Sequence, residues 1–134
     1  MANSGAKQHK VHITDIHHVS FIVNKLTVSL DFYCGLLNIE QKTNRPDIGF
    51  NGAWLKVNAQ QEIHLLELPN PDPVTGRPAH GGRDRHAAFS IENLEPLKNA
   101  LGANNIPYTM SKSGRAALFT RDPDGNALEF IETL

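Results

Sequence analysis

At 134 residues the chain can bury one core but is too short for two independent ones. Hydrophobic residues at 40% and charged residues at 20% exclude a disordered chain, and a formal net charge of −1 leaves no basic field for nucleic acid or an anionic membrane. The single cysteine, Cys34, excludes an internal disulfide, and no apolar run nears the roughly 20 residues of a membrane span. With the polar opening MANSGAKQHK, these features lead us to expect a cytoplasmic, single-domain protein whose residues 1–10 are disordered.

Val11 to Val23 is rich in β-branched residues and ends in an apolar run, as a buried strand does. Asn24 is placed to cap a helix on which Leu26, Leu30, Tyr33 and Leu37 mark one face. A short strand follows near Ile39 to Thr43, then strands at Gly49 to Val57 and Glu62 to Leu68, with Asn58 to Gln61 as their hairpin loop. Residues 69–84, dense in proline and glycine, form the linker between a first module (about 11–68) and a second (about 85–134). In the second, Arg85 to Ile91 reads as a strand and Asn93 caps a helix through Leu101, with Pro96 in its first turn. Strands at Tyr108 to Met110, Ala116 to Thr120 and Ala127 to Thr133 complete it, the last two joined by a turn at Asp122 to Gly125.

The order strand, helix, three strands therefore occurs twice. The sequence repeats with it: His18-Val-Ser-Phe21 lies over His86-Ala-Ala-Phe89 at an offset of 68 residues. Ile63-His64-Leu65-Leu66-Glu67 lies over Leu128-Glu129-Phe130-Ile131-Glu132 at an offset of 65. An internal duplication of this kind predicts an α+β fold of two repeated βαβββ modules, forming a curved mixed sheet around a shared centre.

Repeat-equivalent positions carry His18 with His86, and His64 with Glu129. All four side-chain types bind borderline divalent metals, and each lies in an apolar strand where a polar group needs a partner. Strand alternation puts Ser20 on the face of His18, and Ala88 and Ser90 on that of His86, leaving room for a substrate. The plainer assignments are that His9, His12 and His80 are solvated, that His17 faces away from His18, and that Glu132 faces water.

The segments HHVSFIV, FYCGLL, IHLLEL, RHAAFSI and LFTRDPDGNALEF resemble the vicinal oxygen chelate superfamily, over roughly residues 15 to 132. That superfamily includes glyoxalase I, thiol-transferring fosfomycin resistance enzymes, extradiol dioxygenases and bleomycin-sequestering proteins. The resemblance implies one divalent ion per site (Zn, Ni, Mn or Fe), with His18, His86 and Glu129 as ligands. His64 stands where glyoxalase I carries a glutamate, and becomes a fourth ligand or a second base. The implied activity is glyoxalase-I-like: a small substrate chelated through two oxygens, with Glu129 and His64 as catalytic residues for proton transfer through an enediolate-type intermediate. Arg115 is a candidate for a substrate carboxylate, and Ser20 for a hydroxyl near the metal. The alternatives are thiol transfer to an epoxide antibiotic, a facial-triad dioxygenase, and a binding protein without a reaction. Phe119 stands where the thiol-transfer enzymes keep a tyrosine. The expected partners are a small-molecule substrate and a second copy of the chain, in a homodimer burying more than about 2,000 Å² whose sites are shared between chains. Neither nucleic acid nor membrane is expected.

Overall fold

The structure, a computed structural model, describes residues 10–133. The expected disorder of the first ten residues, and His9 with it, therefore falls outside the described residues except at Lys10. The first module runs β1 (His18–Val23), α1 (Leu26–Leu30), β2 (Glu40–Gln41), β3 (Gly52–Lys56) and β4 (Glu62–Glu67). The second runs β5 (His86–Ile91), α2 (Leu94–Ala103), β6 (Tyr108–Met110), β7 (Ala117–Arg121) and β8 (Ala127–Glu132).

The α+β fold of two βαβββ modules forms as expected, each module contributing a four-stranded mixed sheet, ordered β1-β4-β3-β2 and β5-β8-β7-β6. Each has one parallel pair, β1 with β4 or β5 with β8, and is otherwise antiparallel. The registers match the repeat: His64 lies between Ser20 and Trp54, and Glu129 between Ala88 and Phe119.

The first strand is shorter than its composition suggests. Its only ladder partner in the sheet, β4, begins at Glu62, whose N–H reaches the His17 carbonyl at 3.1 Å. Residues 10–17 thus have no partner strand among the described residues, and Val11 and Ile13 stand 90% and 83% exposed. The first helix also departs from expectation. Asn24 does not cap it; Glu67 does, accepting from the Leu26 N–H at 2.8 Å. Beyond Leu30 the helix widens into a π-helical stretch (Asp31–Leu36), which turns Phe32 and Tyr33 together into the core. In the second module Asn93 caps α2 as expected, and Glu132, exposed though it is, holds the Leu94 N–H at 2.9 Å. Glu67 and Glu132 are repeat-equivalent, so each module ties its last strand to the start of its helix in the same way.

Strand alternation gives each sheet two different faces. Val23, Ala53, Leu55, Ile63 and Leu65 of the first and Leu118, Leu128 and Phe130 of the second join Leu94, Leu97 and Leu101 of α2 in one core. Both sheets therefore turn their covered faces to a common interior, and the faces bearing His18 and His86 lie outside it.

The modules are pinned at the turn joining β7 to β8. The buried Tyr33 hydroxyl donates to Asp122 at 2.7 Å, and the Asn24 N–H donates to Asp124 at 2.9 Å. Asp122 also accepts from the backbone of Asp124 and Asn126 and from the Asn126 amide. Burial raises the Asp122 pKa even so, and burial followed by the neighbouring Asp122 charge raises that of Tyr33. Gly125 completes the turn at φ +86°, with the linker carbonyl of Val74 only 3.2 Å from where a Cβ would stand.

Candidate metal centre

The four histidine and carboxylate candidates gather as two pairs, one on the outer face of each sheet. In the second module, parallel pairing of β5 with β8 brings His86 Nε2 to 3.3 Å from Glu129 Oε1. Asp84 sets the histidine. Its carbonyl oxygen can only accept, so the His86 Nδ1 that meets it at 2.8 Å carries a proton, and Nε2 is the nitrogen turned to Glu129. Asp84 is itself fixed, its carboxylate gripped by Arg77 at 2.7 Å and Arg121 at 2.8 Å, which hold its pKa well below the usual carboxylate range.

Glu129 is only 3% exposed, and its polar partners are His86 and Arg115, both at 3.3 Å. A ring nitrogen and a carboxylate oxygen converging in this way require something positive between them, a proton or a metal ion. An imidazole with its far nitrogen anchored by a carbonyl, beside a buried carboxylate, is a donor set suited to a divalent ion.

In the first module, His18 and His64 stack with ring centroids 3.8 Å apart at an interplanar angle of 14°. Trp54 stacks on the opposite side of His64 at 4.9 Å. His18 Nδ1 meets His17 Nδ1 at 2.9 Å, so Nε2 is the nitrogen left to bind a ligand. Partial burial, with His64 and His17 beside it, lowers the His18 pKa and favours the neutral ring that a metal requires. His17 is therefore a neighbour of His18 rather than a residue of the opposite face, because the strand whose alternation would have separated them begins only at His18. For His18 and His64 both to donate in-plane to one ion, one ring must leave the stack.

No group of three or more histidine, cysteine, aspartate or glutamate side chains able to hold a metal forms among the described residues of one chain. Ser20 lies on β1 beside His64, lining a cleft that opens between β1 and β5. Arg115 arrives at Glu129 rather than in open solvent, although its side chain stays 57% exposed.

Several neighbours were not singled out from sequence. His80, assigned there to a solvated segment, is half-buried against Phe119 at 5.0 Å, and its Nδ1 accepts the Gly82 N–H. It lines a cleft of about 320 Å³ with Glu129, His86, Arg83, Lys112 and Arg115. Neither Arg83 nor Lys112 forms an ion pair with a described residue, so this cleft presents uncompensated positive charge beside the buried carboxylate. Glu62 joins Lys42 to His64, and their hydrogen bonds hold its pKa down to about 2. Its position two residues before His64 in one strand was the available signal.

The chain is 28% identical over 124 residues to "Glyoxylase I 4" of Arabidopsis thaliana, covering 89% of this chain and 71% of that one. It is 30% identical over 128 residues to "Metallothiol transferase FosB" of Bacillus licheniformis, covering 87% and 74%. The crystal structure of a glyoxalase family protein from Bacillus anthracis superposes with a TM-score of 0.74 at 23% identity, covering 93% of this chain and 99% of that one. Residues 15–130 match the model of the Glyoxalase/Bleomycin resistance protein/Dioxygenase superfamily, and the chain belongs to that family.

Proposed function

We propose that the protein is a divalent-metal enzyme of the glyoxalase-I type, in which His18, His86 and Glu129 hold the ion and His64 stands beside it. The observation that carries this reading is the approach of His86 Nε2 to the buried Glu129 carboxylate, on a face repeat-equivalent to that of His18. A divalent ion bound there would supply Lewis acidity to two oxygens of a small substrate and acidify the adjacent C–H. Glu129 and His64 are the groups able to take and return that proton. Arg115, Arg83 and Lys112 would bind an anionic group of the substrate, because they bring positive charge that Glu129 cannot balance once it turns to the ion. Ser20 would meet the substrate from the opposite sheet. Ligand chemistry alone admits Zn, Ni, Mn or Fe.

Because both outer faces point away from the common core, we place the complete site between two chains, with His18 and His64 of one chain facing His86 and Glu129 of the other. Metal content of the purified protein, followed by turnover of the methylglyoxal–glutathione hemithioacetal, tests this reading. Metal-free protein that stays unoccupied after incubation with each of the four ions would refute it.

A second reading, metal-assisted thiol transfer, is favoured by the cationic cleft and by the 30% identity to a metallothiol transferase. Phe119, which lacks the hydroxyl of a tyrosine, counts against it. Thiol consumption with an epoxide substrate, in the absence of hemithioacetal turnover, would select it.

A further inference from the structure

Glu62 and His64 share a face of β4, two residues apart, and β2–β3–β4 pairing brings Lys42 over them. Lys42 Nζ donates to Glu62 Oε2, while Glu62 Oε1 lies 2.9 Å from His64 Nε2. The Glu62 and His64 side chains are each 14% exposed, and that of Lys42 is 29% exposed. An ammonium bound to one carboxylate oxygen keeps the group ionised, and an ionised carboxylate only accepts. The His64 nitrogen facing it must therefore carry the proton. The ring has no second orientation of equal quality: it is held between His18 and Trp54, and an in-plane flip would set a carbon against Oε1.

We infer that Glu62 is a positioning residue which, clamped by Lys42, fixes His64 as the Nε2–H tautomer and leaves Nδ1 as the one nitrogen His64 can offer. His64 is thereby set apart from His86, whose Nδ1–H is given to Asp84 and which offers Nε2. Given the metal site proposed above, on which this role rests, Nδ1 is the only nitrogen through which His64 can take part in it. The alanine repeat-equivalent to Glu62, Ala127, gives Glu129 no such partner.

The test is imidazole 15N NMR on metal-free protein, with the His64 resonances assigned by their loss in His64→Gln. The wild-type ring should show a protonated Nε2 and a bare Nδ1. In Glu62→Gln the amide offers one acceptor and one donor. Lys42 claims the oxygen, the NH2 turns to His64, and the tautomer should switch to Nδ1–H. Adding Lys42→Met to Glu62→Gln frees the oxygen and should restore Nε2–H. A wild-type ring with protonated Nδ1 or a mixture of tautomers, or a Glu62→Gln ring unchanged from wild type, would overturn the inference. The readout uses no metal, so failure of the metal reading leaves it standing, and a wrong tautomer leaves metal content untouched.

Discussion

His64 and Glu129 occupy the same rung of the same ladder in their two modules, yet one is surrounded by rings and the other by cations. His64 lies between His18 and Trp54 with Glu62 at its edge; Glu129 lies beneath His86, Phe119 and Arg115. The backbone repeats while the chemistry is divided. One face carries stacked imidazole rings, the other a buried carboxylate. Neither pair alone offers three donors for a metal; on the proposed reading the two together would.

Removing the charge from the second face should have the largest effect. Glu129→Ala or His86→Ala is expected to weaken metal binding by roughly 100-fold or more, since even the loss of an outer partner costs 10–100-fold. Equilibrium dialysis checks this, and circular dichroism should show the fold retained. If the first face is equally a ligand pair, His64→Ala will match that loss. With His64 beside the ion rather than on it, the loss should stay within the roughly 10–100-fold of an outer-shell partner, below that of Glu129→Ala or His86→Ala.

The turn that pins the modules offers a contrast that should spare the metal. Tyr33→Phe removes a donor from buried Asp122 and should cost about 1–3 kcal/mol in denaturant unfolding, with metal content unchanged. A smaller, pH-dependent effect is expected at Asp84. Its folded pKa is depressed by Arg77 and Arg121, so its contribution to stability is present above the ordinary carboxylate pKa and is lost as pH falls below it. Asp84→Asn should lower the melting temperature at neutral pH, and the gap to wild type should close from about pH 4 downward. A gap independent of pH would mean that packing, not charge, holds this residue.

The two faces were unequally legible in sequence. The βαβββ repeat and the matched positions of His18 with His86 and of His64 with Glu129 follow from period-two strands laid over a fixed offset, which is local information; that both pairs lie outside the common core does not. The duplication drew attention to polar residues with polar equivalents, and Glu62 stands opposite Ala127, so it was passed over. Its bond to Lys42 depends on the pairing of three strands, as the start of β1 depends on where β4 begins. Glu67 and Glu132 read as strand ends because their work, capping helices some 40 residues earlier in the chain, is done across the fold. The π-helical widening after Leu30 likewise changes which side chains enter the core without changing the apolar pattern that announces the helix.

The claim that one site is built from the first module of one chain and the second of another is tested most directly by complementation. His18→Ala and Glu129→Ala proteins, each unable to hold the ion, would be mixed in equal amounts under conditions of verified subunit exchange. A heterodimer of the two places both lesions in one site and leaves the other intact, so a randomised mixture should recover about a quarter of wild-type metal content. No recovery after exchange, or elution of the wild-type protein as a monomer with full metal content, would contradict it.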